Sequence, residues 1–78
     1  MPVVHREGPY RFSFYSDEGN EPAHVHVRRD RNQAKFWLQP VTISKNAGFN
    51  DTELNRIARI IERNKAPMLE KWNEHLNR

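Results

Sequence analysis

Hydrophobic and polar residues alternate in three short runs, residues 10–15, 23–28 and 34–39, and all three alternations sort the same way. Successive side chains of a strand point to opposite faces. Tyr10, Phe12 and Phe14, then Ala23, Val25 and Val27, then Ala34, Phe36 and Leu38 therefore share one set of faces, suited to a core. Arg11, Ser13, Tyr15, His24, His26, Arg28, Lys35, Trp37 and Gln39 share the other. Paired as an antiparallel meander, the runs give a sheet with one apolar face and one face of histidines, cations, hydroxyls and an indole.

Residues 2–6 read as a first strand, and Glu7, Gly8 and Pro9 as the turn out of it. Residues 16–22 are polar, contain Gly, Asn and Pro, and are too long for a two-residue turn, so they read as a loop beside the histidine strand. Residues 29–33 read as a five-residue hairpin connection that exposes Arg29 and Arg31. Pro40 stops the third alternating run, Val41, Thr42 and Ile43 follow as a short edge strand, and residues 44–48 as a loop.

The periodicity then changes. Asn50 is a candidate helix cap, Glu53 stands three residues on to return the bond, and Phe49 and Leu54 occupy the staple positions. Leu54, Ile57, Ile61, Met68, Trp72 and Leu76 form one apolar stripe even across Pro67. Pro67 predicts a bend or break near residues 64–66. A straight helix over residues 51–77 would run about 40 Å, roughly twice the length of a six-residue strand. Met68, Leu69, Trp72 and Leu76 are therefore candidates either for an overhang that binds a partner or for packing on the chain's own sheet. The architecture expected is α+β: a three- to four-stranded antiparallel meander sheet over residues 2–43, packed on one face by a long or kinked C-terminal helix over residues 51–77, in a single domain of residues 1–78.

The chain has 78 residues, and so small a domain buries only about 60–65 % of its unfolded surface, so a partner or a homodimer contact would add stability. It lacks cysteine, which excludes disulfides and thiolate metal sites and fits a reducing compartment. No apolar run approaches the roughly 18 residues of a membrane span, and the first residues form no export signal. The expectation is a cytoplasmic protein without membrane contact. A net charge of +3 is a mild basic bias, and its distribution carries more information than its sum.

His24 and His26 share a strand face, with β-carbons about 7 Å apart. Three uses compete for them. As an acid and base pair, with Lys35, Arg11 or Arg28 to stabilise a pentacovalent phosphate, they suit metal-independent RNA cleavage. As metal ligands they would need a third group from Asp17, Glu18, Glu21, His5 or His75. As structural residues they would only hold hydrogen bonds. No metal and no other cofactor is assigned. Arg28, Arg29 and Arg31 crowd a hairpin beside this face, and Tyr15 and Trp37 offer flat surfaces on which an unstacked base would sit, a combination suited to single-stranded nucleic acid. Arg56, Arg59 and Arg63 form a stripe almost opposite the apolar one, which is either the wet side of the helix or a contact for phosphate or an acidic partner. No glycine-rich phosphate loop or nucleophile motif is present.

Residues 8–16 (GPYRFSFYS), 18–27 (EGNEPAHVHV), 34–38 (AKFWL) and 69–74 (LEKWNE) resemble the small bacterial domain of unknown function 4160. The resemblance covers nearly the whole chain. It implies a small α+β protein encoded beside another small protein in a toxin-antitoxin-like pair, and it draws attention to Tyr15, Glu21, His24, His26, Lys35 and Trp37. Ala23 stands where the family pattern has a second proline, and Pro67 interrupts an otherwise continuous helix. Two readings follow. In the first, the chain is the toxin-like member of a two-protein module, with a cognate small protein as partner, and binds or cleaves RNA on its open face. His24 and His26 then transfer protons, Lys35, Arg11 and Arg28 hold phosphate, and Tyr15 or Trp37 stacks a base. In the second, it is a non-enzymatic protein-binding module, an antitoxin or partner subunit, that uses the C-terminal helix.

Overall fold

The computed structural model describes residues 3–15 and 20–76. Its sheet has five strands: β1 (Val3–Glu7), β2 (Tyr10–Ser13), β3 (His24–Arg29), β4 (Asn32–Leu38) and β5 (Val41–Ala47). They pair antiparallel in chain order, so the expected meander is present with five strands in place of three or four. Three of its connections are two-residue turns. Gly8, with φ of 57°, leads the β1–β2 turn, a position where a glycine is favoured. Asp30 and Arg31 alone join β3 to β4, in place of the expected five-residue connection, and Asp30 takes φ of 54° there. Gln39 and Pro40 link β4 to β5. The loop expected over residues 16–22 lies mostly outside the described residues.

The fifth strand is longer than the edge piece expected at residues 41–43. It reaches Ala47 because Lys45, Asn46 and Ala47 pair with Lys35, Ala34 and Gln33 after a bulge at Ser44. Gly48 follows with φ of 109°, and a β-carbon there would come within 2.2 Å of the Asn32 side-chain oxygen, so the turn toward the helices needs glycine.

The helical segment is two helices, α1 (Asp51–Arg63) and α2 (Lys65–Leu76), instead of one. Asn50 caps α1 by accepting from the Glu53 N–H at 2.9 Å. The Glu53 carboxylate does not return to Asn50; it accepts from Tyr10 OH at 3.1 Å and pairs with Arg29. The break falls at Asn64, whose side-chain amide donates to the Ile60 carbonyl at 2.8 Å. Pro67 thereby becomes the third residue of α2, where an N–H would have no intrahelical partner in any case.

Phe12, Val25, Val27 and Leu38 from the sheet and Ile57 and Ile61 from α1 are fully buried. Met68 and Trp72 of α2 join the same core, with Trp72 edge-on to Phe14 at 5.2 Å. The break turns α2 back along the sheet, where the Lys71 ammonium donates to the Val4 carbonyl at 2.9 Å. Two of the residues that would overhang a straight helix are thus inside the core. Of the four candidates for a partner surface, Met68 and Trp72 are buried, Leu69 packs against the core, and Leu76 is 42 % exposed. Among the described residues, no helix is long and apolar enough to cross a membrane.

Candidate functional site

The side of the sheet away from the helices is organised by register into rows that run across the strands. In the first row Arg6 faces Arg11, Arg11 faces Arg28, Arg28 faces Gln33, and Gln33 faces Ala47. In the second, Ser13 faces His26, His26 faces Lys35, and Lys35 faces Lys45. In the third, His24 faces Trp37 and Trp37 faces Thr42. The hairpin at Gly8 and Pro9 sets the first row, because a turn that pairs Glu7 with Tyr10 necessarily pairs Arg6 with Arg11.

Arg6, Arg11 and Arg28 are exposed, and like charges directly opposite one another destabilise a sheet. Among the described residues, no carboxylate pairs with Arg6, Arg11 or Arg28; Arg28 donates from Nε to the Asp30 carbonyl at 3.4 Å. Three exposed guanidinium groups thus stand in a row, and no ion pair ties any of them among the described residues. In the second row Lys35 is buried and neutralised: its ammonium donates to Glu21 Oε1 at 2.5 Å and lies 4.8 Å over the Trp37 ring. Lys45 is exposed at the end of that row.

The two histidines differ sharply. His24 is fully buried, with its ring 4.8 Å from that of Trp72, 5.4 Å from His26 and 5.8 Å from Trp37. Its Nδ1 lies 2.9 Å from the Pro22 carbonyl, and since a carbonyl only accepts, Nδ1 is the donor there. Glu21 Oε1, which holds Lys35, is 3.8 Å from the same nitrogen. An acid or base must reach the atom it serves, and a ring covered on all sides does not. Of the uses open to the His24 and His26 pair, the burial of His24 fits the structural one best. His26 is half-buried and stacks on Tyr15 at 3.7 Å and 6°. Tyr15 is accordingly half of a stacked pair rather than a lone platform.

Adjoining clefts cross this face. One, of about 350 Å³, is lined by Tyr15, His26, Lys35 and Lys45 among others. A second, of about 230 Å³, shares Tyr15, His26 and Gln33 with it and adds Arg11, Ser13 and Arg28. A third, of about 170 Å³, shares Arg11 and Arg28 with the second and adds Arg6. His26 stands where the first two meet.

Of the residues singled out in the sequence, Arg11, Tyr15, His26, Arg28, Lys35 and Trp37 come together on this face. Arg29 does not: one strand position beyond Arg28, it points to the helical side and pairs with Glu53, which raises its pKa. Arg31 is exposed in the β3–β4 turn. Asp17 and Glu18, considered as metal ligands, lie outside the described residues, and among the described residues no three metal-ligating side chains cluster. Arg6 and Lys45 were not singled out. The first was legible from the Gly8 and Pro9 turn, whereas the second needed the unexpected length of β5.

No curated protein and no solved structure matches the chain. Residues 10–73 match the family model described as a domain of unknown function, DUF4160, and the chain belongs to that family.

Proposed function

We propose that the chain binds single-stranded RNA on the open face of its sheet. The observation that carries this reading is the row Arg6, Arg11, Arg28, in which cations oppose cations and, among the described residues, no ion pair ties any of the three. Phosphate relieves that repulsion, and guanidinium forks hold phosphate in a bidentate manner. The stacked pair of Tyr15 and His26 extends beside the row as a surface for an unpaired base, a sequence-tolerant mode of binding. Binding is favoured over cleavage because His24 is covered, which leaves His26 without a second imidazole that substrate can reach.

The wider role, a toxin-like member of a bacterial, cytoplasmic two-protein module, is supported by the family resemblance. Use of the helix end by a partner has less support, since Met68 and Trp72 serve the chain's own core.

The test is the affinity of the protein for a fluorescein-labelled twelve-nucleotide RNA as a function of salt, for wild type and for the double variant Arg11→Ala, Arg28→Ala. Loss of two phosphate contacts reduces the slope of log affinity against log salt by about 1.4. An unchanged slope and affinity would overturn the reading. Growth arrest on induction in a bacterial host, abolished in the same variant, would extend it to the toxin-like role.

A further inference from the structure

The arginines of α1 do not stand apart from the sheet face. A cleft of about 580 Å³ on the helical side is lined by Arg56, Arg59 and Arg63 together with Gly8, Pro9 and Tyr10. Gly8, Pro9 and Tyr10 also line the cleft that holds Arg6, Arg11 and Arg28. The β1–β2 turn is thus a ridge with arginines on both flanks.

Two carboxylates near this ridge, Glu7 and Glu53, are already occupied, and a third, Asp30, lines the sheet-side cleft 4.0 Å from Arg29. Glu7 accepts from Arg63 at 2.6 Å and from His5 at 3.0 Å, and Glu53 accepts from Tyr10 and Arg29. Among the described residues, no ion pair ties Arg56 or Arg59, and both are exposed. Like charges three or four apart on a helix weaken it slightly, and of the stripe Arg56, Arg59 and Arg63 only Arg63 has an ion-pair partner among the described residues.

We propose that the RNA path continues over Gly8 and Pro9 onto α1, with Arg56 and Arg59 as a second phosphate-binding subsite continuous with the sheet face. This rests on the RNA-binding reading above and adds a path to it. The sheet face spans roughly 4.8 Å per strand, so the arginine row alone accommodates a short segment, and the helix flank lengthens the footprint. Arg63 is held by Glu7 and serves as a fixed wall of the subsite.

The experiment compares four- and twelve-nucleotide oligouridylates, which bracket much of the range of small single-strand binding sites, on the full chain. The variants are Arg56→Ala, Arg59→Ala and, separately, Arg11→Ala, Arg28→Ala, each verified as folded by circular dichroism. The helix variant is expected to bind the twelve-mer about tenfold more weakly with a salt slope reduced by about 1.4, and the four-mer unchanged. Unchanged twelve-mer binding by the helix variant, with binding lost in the sheet variant, would overturn the extended path and leave the sheet-face reading intact. Loss in the helix variant with full binding in the sheet variant would overturn continuity and the sheet-face reading together. If the helix variant keeps its RNA affinity but no longer binds anionic phospholipid vesicles that the wild type binds, the stripe serves a membrane surface and the proposal fails. The charge reversal Arg56→Glu, Arg59→Glu should deepen the twelve-mer loss, and equal affinity in it would also overturn the proposal.

Discussion

Arg11 and Arg28 face each other directly across the β2–β3 ladder on the open side of the sheet. Such a pair is unfavourable in the free protein, so removing one partner should stabilise the fold while weakening its function. Arg11→Gln is expected to raise the unfolding free energy by about 0.2–1 kcal/mol at low salt. Urea denaturation measures the first effect and RNA affinity the second. Lower stability in Arg11→Gln would mean that the row is held by interactions within the chain.

The two histidines should separate by kind of effect. His24→Ala removes a fully buried ring between Trp72 and Trp37 and leaves the Pro22 carbonyl without its donor, for an expected loss of about 2–4 kcal/mol. His26→Ala removes a half-buried ring stacked on Tyr15, for about 1 kcal/mol, and should lower RNA affinity in a protein that remains folded. Denaturation and binding curves on both variants test the contrast.

Glu7 gives the stability a pH signature. Its carboxylate accepts from His5 and from Arg63, and these bonds hold its pKa below the ordinary 4.5. A depressed folded-state value means that the stabilisation is complete above the ordinary value and is lost as pH falls through the folded one. Glu7→Gln should therefore melt below wild type at pH 7, and the difference should narrow at a pH well below 4.5. Melting temperatures of both proteins at the two pH values check this.

Met68 and Trp72 should behave as core residues. Met68→Ala is expected to cost about 2–5 kcal/mol and Trp72→Ala about 3–5 kcal/mol, whereas Leu76→Ala, at a position 42 % exposed, should cost under about 0.5 kcal/mol. Thermal denaturation distinguishes these values, and a stable monomeric Trp72→Ala protein would assign that ring to a partner instead.

The alternation in residues 10–15, 23–28 and 34–39 made the sheet and its two faces legible, because period-two patterning is strong where one side is a core. Strand β5 was only partly legible. Ser44, Lys45, Asn46 and Ala47 lie on an edge, where one ladder replaces two and no apolar alternation is required. The helix break was readable from Pro67, and packing of Met68 and Trp72 on the chain's own sheet was one of the two uses left open for them; the turn at Asn64, a tertiary effect, folds them inward. At His24 the pattern identified the face but not the cover. The residue belongs to the polar side by alternation, yet it lies at the strand end, where Trp72 reaches it. Arg29 was misplaced for a simpler reason. Strand β3 has the expected length but starts and ends one residue later, which takes Arg29 out of the turn and into the ladder, and one residue decides the face.

The central claim is that RNA lies on the arginine row of the open face, and amide chemical-shift mapping of the labelled protein tests it most directly. On titration with a twelve-nucleotide oligouridylate, the account predicts the largest shifts at Arg6, Arg11, Ser13, His26, Arg28 and Gln33, with Met68 and Trp72 unmoved. Shifts confined to α2, or none at RNA concentrations that saturate a basic single-strand binder, would contradict it.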